Sequence, residues 1–256
     1  MDYLLAIVLG VVQGITEFLP ISSSGHLLVL HEAFNFATDS SLAFDISLHI
    51  GTLVTIVLYF TKDIIHYAST QPQLMLRALV STLPAGVIGL FFGDQLDRWF
   101  RSSWVVVVMA VLIGIVFLLV ERYAKPNPSS GLFSWKQAMA MGLAQAVALI
   151  PGTSRSGITM AAGMSLGLNR VDAAKFSFIM VIPLLLGLTA KQGLDLVAQP
   201  PSAHELGLML IGAVTAAVVG LLAIRFLLGF FKTSTLRPFA YYRFGLAVVV
   251  SLMLLL

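Results

Sequence analysis

Hydrophobic residues along this chain fall in long blocks, with few polar interruptions and no sustained two-residue alternation. Five regions, 42–60, 74–93, 103–121, 206–228 and 238–256, each offer close to the 20 apolar residues a helix needs to cross about 30 Å of hydrocarbon. A sixth, 173–193, is nearly as good. Two further regions break the rule. Residues 3–19 and 25–36 are apolar pieces divided by PISSSG, and 136–150 and 157–168 are divided by PGTSRSG. Each piece is too short, or too polar at one end, to span, so the pattern predicts hairpins that enter the membrane and return. Hydrocarbon offers no hydrogen-bond partners, so irregular backbone at that depth must be buried in protein or line a wet cavity. Both serine-rich loops are therefore expected to point inward.

Composition agrees. Of 256 residues 58% are hydrophobic and 11% charged, and mean hydropathy is +0.95; soluble domains carry about 25% charged residues. The expected fold is an all-α, polytopic membrane bundle forming a single domain, 1–256. Fifteen Lys and Arg against 12 Asp and Glu leave +3, too small and too dispersed for nucleic-acid binding. With no Cys there is no disulfide framework, no Cys-ligated metal centre and no thiol nucleophile. Met1 and Asp2 give no basic start, and the apolar run continues through Glu17 and Pro20, so a removable signal peptide is not expected. No Gly/Ser linker, charge block or heptad marks a second domain.

The chain also repeats itself. Shifted by 132 residues, Ala6, Gly10, Gln13, Gly25 and Phe44 fall on Ala138, Gly142, Gln145, Gly157 and Phe176 without a gap, and Pro20 and Pro151 miss by one position. The polar stretch 122–131 is the expected joint. Repeat one covers about 1–125 with hairpin 3–36, and repeat two about 133–256 with hairpin 136–168. One hairpin and three crossings per half would invert the second copy, as in many transporter folds. The two hairpins would then meet near the midplane.

Charge sets orientation. If loops 61–73, 122–136, 169–175 and 225–238 are cytoplasmic, they collect Lys62, Arg122, Lys125, Lys136, Arg170, Lys175, Arg225, Lys232 and Arg237, with Arg77 and Arg243 near that boundary. The opposite side has Arg98, Arg101 and Lys191. Both termini and the first hairpin's entrance then lie outside.

Glu17, the triplet Ser22, Ser23 and Ser24, His26, and Arg155 sit where an isolated membrane helix would not accept them, which makes them functional suspects. Gln13 and Glu17 share a helix face one turn apart. The repeat brings Thr153, Ser154, Arg155 and Ser156 towards the same place. A carboxylate, an imidazole, hydroxyls and a guanidinium are the parts needed to bind phosphate and move a proton. Gly25 and Gly157 let backbone N–H groups approach an anion, and the helices that follow would aim their positive ends at it. A bland alternative stands beside this: Ser, Gly and Pro are ordinary helix-end residues, and one such loop alone is weak evidence. Asp45 and His49, four apart, fit either a site or a structural interfacial pair. Arg98, Arg101, Glu121, Arg122 and Lys125 are expected as interfacial anchors or topology determinants. His31, His66 and His204 have no partner visible in sequence and are expected at the surface or satisfied internally.

These residues carry a resemblance. QGITEFLP (13–20), SSSGH (22–26), PGTSRSG (151–157), GLNRVDAAKFSF (167–178) and PFAYYRF (238–244) resemble the undecaprenyl-pyrophosphate phosphatase, or bacitracin-resistance, family along essentially the whole chain. The resemblance implies a hydrolase of the bacterial plasma (inner) membrane. It would remove the terminal phosphate of undecaprenyl pyrophosphate, return the carrier lipid to peptidoglycan synthesis, and confer bacitracin resistance. It implies an inverted repeat, an active site facing the outer, periplasmic side, and a divalent cation, Mg²⁺ or Ca²⁺. Position by position, Glu17 matches the family's motif glutamate, Ser23 and His26 its loop serine and histidine, and Arg155 its phosphate-binding arginine. The catalytic set is then Glu17, Ser23, His26 and Arg155. Gln13, Ser22, Ser24, Gly25, Thr153, Ser154, Ser156 and Gly157 would hold the phosphates. The cation would fall to Glu17 with Gln13. Gln13 is a departure, since the family has Glu or Gln there, and it weakens any account that needs two carboxylates.

Ser23 is the expected nucleophile with His26, three residues on, to activate it; attack by water or by the histidine itself would use the same groups. Partners are the lipid and the bilayer, with homodimer formation left open. An inverted-repeat transporter or flippase of a lipid phosphate would share this architecture. A purely structural subunit would lose stability but no turnover on replacement of Glu17, His26 or Arg155.

Overall fold

The computed structural model describes residues 3–33, 39–126, 133–198 and 200–256. The described residues are helical with connecting turns: α1 (Tyr3–Thr16), α2 (Ser23–Ala33), α3 (Asp39–Thr70), α4 (Pro72–Ser81), α5 (Leu83–Phe100), α6 (Ser103–Tyr123), α7 (Trp135–Val147), α8 (Arg155–Ser165), α9 (Arg170–Met180), α10 (Ile182–Ala198), α11 (Ala203–Phe230) and α12 (Arg237–Leu255). Six stretches are long and apolar enough to cross a bilayer: 43–70, 72–100, 103–123, 170–191, 203–230 and 237–255. These are the six expected from sequence, and the chain is a multi-pass membrane protein. Residues 34–36 of the first expected hairpin and 127–131 of the expected joint lie outside the described residues.

Two crossings are broken. The second is α4 and α5, divided at Thr82, and the fourth is α9 and α10, divided at Val181. Pro84 and Pro183 explain this, because each is the second residue of the following helix and lacks the amide that would carry the ladder across the break. The breaks are joined to each other, with the Thr82 hydroxyl donating to the Met180 carbonyl at 2.8 Å.

Between the crossings lie two pairs of short helices, α1 with α2 and α7 with α8, each pair packed together. Helix α1 packs on α11, from the other half of the sequence, and α7 on α4 and α5. Lipid tails are as apolar as leucine, so close packing, with small residues at the contacts, holds such helices together. A Cβ on Gly10 would sit 2.7 Å from the Gly212 carbonyl oxygen, and one on Gly142 would sit 2.3 Å from that of Ser81. Neither backbone could come so close to a larger residue.

The central core is built on Phe18, Phe60, Phe117 and Phe178, each wholly buried, with Met141, Met160 and Met180 around them. The Phe18 and Phe178 rings meet edge to face at 5.5 Å. Phe18 follows Glu17 directly, so this core fixes the backbone from which the carboxylate projects. Large apolar side chains such as Leu90, Phe91, Leu210 and Leu222 are exposed on the outer faces, as lipid contact requires.

Candidate active site

The site is built at the N-termini of α2 and α8. Ser22 and Ser154, 132 positions apart, both have positive φ, 78° and 71°, a conformation uncommon outside glycine and costly without support. Each is held by the same device. The Ser22 hydroxyl accepts from the Gly25 amide at 3.2 Å, and the Ser154 hydroxyl from the Gly157 amide at 3.3 Å. Ser22 and Ser24 hydroxyl oxygens stand 3.4 Å apart, as do those of Ser154 and Ser156. The residues after the two caps, Ser23 and Arg155, open α2 and α8 and are aimed at one point.

That point is the Glu17 carboxylate. Arg155 donates from Nη2 to Glu17 Oε1 at 2.6 Å, and the Ser23 hydroxyl donates to Oε2 at 2.7 Å. Gln13 Nε2 also donates to Oε2, at 3.2 Å. Glu17 is 7% exposed, and buried carboxylates are tolerated only when paired and hydrogen-bonded in this way. Equivalent backbone positions of the two halves thus supply unlike side chains, a hydroxyl and a guanidinium, to one shared carboxylate.

His26 does not reach for Ser23. Its Nδ1 lies 2.7 Å from the Ser22 carbonyl oxygen, which can only accept, so Nδ1 carries the proton and Nε2 presents a lone pair. Nε2 is 2.8 Å from the Tyr242 hydroxyl, and the two rings stack at 5.8 Å. The expected activation of Ser23 by His26 is therefore not what this arrangement makes; the group in contact with the Ser23 hydroxyl is Glu17. Tyr242 was not singled out from sequence, although it stands inside the PFAYYRF segment.

Other expected site residues divide. Thr153 turns away: its hydroxyl donates to the Ile150 and Val147 carbonyls at 2.7 and 3.3 Å and closes the end of α7. Ser156 bonds the Leu19 carbonyl at 3.3 Å, which joins the two loops. Ser24 is exposed. Gly25 and Gly157 are buried, and a Cβ on Gly157 would meet Phe117 at 2.4 Å, so packing against α6 already demands glycine there. Arg155 is steadied by residues outside the expected set: Nη1 donates to the Ser177 carbonyl at 3.2 Å, and the Ser177 hydroxyl meets that of Thr159 at 2.7 Å.

Two expected boundary residues are structural instead. Arg243 is wholly buried, and it donates to the carbonyls of Ala110, Met109 and Gly152 at 3.3, 3.0 and 2.7 Å. It braces the PGTSRSG loop from α12. Glu121, expected as an interfacial anchor, is a buried clasp: it takes Arg170 through both side-chain oxygens and the Leu236 amide at 2.7 Å. It ties α6 to the starts of α9 and α12.

Asp45 and His49 part company. Asp45 pairs with the buried His31 at 3.0 Å. His49 joins the site instead, with Nδ1 3.0 Å from Gln13 Nε2 and 3.7 Å from Glu17 Oε2. Among the described residues no three His, Asp or Glu side chains cluster as metal ligands do. Glu17 and Gln13 nevertheless suit a divalent cation, since one supplies charge and the other a buried Oε1 that has no hydrogen-bond partner. Gln145, the repeat counterpart of Gln13, is buried with neither amide atom partnered among the described residues.

Comparison with known proteins gives this geometry a context. The sequence profile of the family described as bacitracin resistance protein BacA matches residues 6–249. The chain belongs to that family. It is 40% identical, over 100% of both chains, to an undecaprenyl-diphosphatase of Rubrobacter xylanophilus. It is 41% identical to one of Thermodesulfovibrio yellowstonii, over 97% of this chain and 96% of the relative. A third relative of the same name, from Idiomarina loihiensis, is 37% identical over 99% of each.

Proposed function

We propose that the protein is an undecaprenyl-diphosphatase, a membrane hydrolase that converts undecaprenyl pyrophosphate to undecaprenyl phosphate and inorganic phosphate. The single observation that carries the chemistry is the Glu17 carboxylate held between the Ser23 hydroxyl and the Arg155 guanidinium. Full-length relatives of that name support the substrate. The reading also places the protein in carrier-lipid recycling for peptidoglycan synthesis and in bacitracin resistance.

In the first step Ser23 Oγ attacks the terminal phosphorus as Glu17 takes its proton, and the bond to the bridging oxygen breaks. Undecaprenyl phosphate departs and Ser23 carries the phosphoryl group. In the second step water attacks that phosphorus, the bond to Oγ breaks as Glu17 returns its proton to Oγ, and phosphate leaves. His26, three residues after Ser23 on α2 and held by Ser22 and Tyr242, is the group assigned to take the water's proton. Arg155 exchanges its hold on Glu17 for the phosphate oxygens, whose geometry its planar fork matches. The N-termini of α2 and α8 add partial positive charge at the same place. Glu17, with Gln13, would hold a divalent cation such as Mg²⁺ or Ca²⁺, whose contribution is to neutralise the charge of the diphosphate.

In this reading α1–α2 and α7–α8 are re-entrant hairpins of an inverted repeat. The protein lies in the bacterial plasma membrane, with both termini and the site's mouth outside and the basic loops in the cytoplasm. A homodimer is compatible with it. A lipid-phosphate transporter would need a pocket but no hydroxyl resting on a base, so the Ser23–Glu17 contact favours the hydrolase.

The test is phosphate release from undecaprenyl pyrophosphate by purified protein in detergent, with and without EDTA. Expected is release that stops on chelation and in folded Glu17→Ala, His26→Ala and Arg155→Ala variants. No release by folded wild type across several divalent ions and lipid lengths would overturn the reading.

A further inference from the structure

We infer that His49 is a third cation ligand and that the cation site is a mixed nitrogen and oxygen face made by Gln13, Glu17 and His49. The inference rests on the proposed cation dependence and deepens it by naming a ligand that neither the loops nor the paired motif positions contain.

Gln13 Nε2, Glu17 Oε2 and His49 Nδ1 form a triangle with sides of 3.2, 3.0 and 3.7 Å. Oxygen ligands at right angles about an ion, at about 2.1–2.6 Å, stand about 3.0–3.7 Å apart. The three atoms are thus already spaced as neighbours on one face of a coordination shell. What fills the place between Glu17 and His49 is the amide NH₂ of Gln13, which donates towards a lone pair on each. A donor lying between two lone pairs occupies the position a cation takes. Turning the Gln13 amide by 180° replaces nitrogen with Oε1, and three lone pairs then face one point. The turn gives up the two Nε2 bonds to Glu17 and His49, which the ion replaces, and it brings to the ion an Oε1 that is buried without a hydrogen-bond partner among the described residues.

Before substrate binds, the other Glu17 oxygen is held by Arg155. The His49 side chain is 25% exposed, so this face is not sealed inside the core. One carboxylate with two neutral ligands carries less charge than a two-carboxylate site. The imidazole is a nitrogen donor, which the all-oxygen shell that Ca²⁺ takes does not favour. The site is therefore expected to bind Mn²⁺ more tightly than Ca²⁺.

Mn²⁺ provides the probe. Full-length protein in detergent is titrated with Mn²⁺ by electron paramagnetic resonance, and the bound ion is examined for ¹⁴N modulation from a coordinating imidazole. Wild type is expected to show that modulation, and His26→Ala to keep it, which assigns the nitrogen. His49→Gln is expected to lose the modulation and to bind at least about tenfold more weakly, the lower end of what disturbing even an outer-shell partner costs. His49→Asp restores a ligand without nitrogen, so it is expected to bind Mn²⁺ again with no modulation, which shows that the fold survives at this position. Modulation that persists in folded His49→Gln, or unchanged affinity there, overturns the assignment of His49 while leaving a cation-dependent enzyme standing. Wild type that binds no Mn²⁺ and releases phosphate unaffected by EDTA overturns the cation reading and this inference with it, and the hydrolase reading survives.

Discussion

At the scale of single residues, the site turns on what each atom of Glu17 touches. Oε2 accepts the Ser23 hydroxyl and Oε1 the Arg155 guanidinium, so one carboxylate serves as base and as counter-ion. Glu17→Gln keeps the shape and removes the basicity. General-base catalysis contributes about 10²–10⁴-fold, and a loss of that size in kcat with KM little changed is expected from phosphate-release kinetics. Tyr242→Phe removes a neutral hydrogen bond to His26, and a bond of that kind is worth about 0.5–1.5 kcal/mol. Turnover is expected to fall by roughly two- to tenfold, with the pH profile moving as His26 loses its partner; an unchanged profile would place Tyr242 outside the proton path. Ser23, Glu17, His26 and Arg155 were legible in sequence because charged and nucleophilic groups have no business in apolar helices. Tyr242 was not, because it lies 216 positions from its partner; His49 was legible only as one of a pair with Asp45, and its approach to Gln13, 36 positions away, was not. A tyrosine near a helix start and a histidine inside a crossing look ordinary until folding brings them to the site.

Elements hold that arrangement through close backbone contacts and a few buried polar clasps. A Cβ on Gly51 would lie 2.1 Å from the Ala213 carbonyl oxygen, so Gly51→Ala must push α3 off α11. Overpacking of this kind costs about 1–3 kcal/mol, expected as a lower melting temperature in detergent. Glu121→Ala strands the Arg170 guanidinium and the Leu236 amide. The pair is only partly buried, and hydrogen bonds to a charged group are worth about 1.5–3 kcal/mol, so a lower melting temperature than wild type is expected. The crossings themselves were legible from apolar run length. Their breaks at Thr82 and Val181 were not, since Pro84 and Pro183 each lie within an apolar run that spans perfectly well when kinked. Arg243 was misplaced for a related reason. Its neighbours on α12 carry no polar signal, and only the carbonyls of Met109, Ala110 and Gly152 make its burial tolerable.

For the whole molecule, the 132-residue correspondence reaches beyond residue identity to backbone, in the matched positive φ of Ser22 and Ser154 and the matched glycine contacts of α1 and α7. Two loops of one design, carrying serine in one copy and arginine in the other, converge on one carboxylate. The proposed orientation puts the exposed Ser24 at an outward-facing mouth, so Ser24→Cys in intact cells is expected to react with a membrane-impermeant maleimide. Labelling only after the cells are opened would reverse the orientation. The most direct test of the chemistry is an acid-quenched single turnover with undecaprenyl pyrophosphate labelled in its terminal phosphate, followed by mapping of the label. Phosphoserine at Ser23, formed more slowly in Glu17→Gln and absent in Ser23→Ala, is the expected result. Continued turnover by Ser23→Ala, with no label on the protein at any time, would show that water attacks directly and that Ser23 is not the nucleophile.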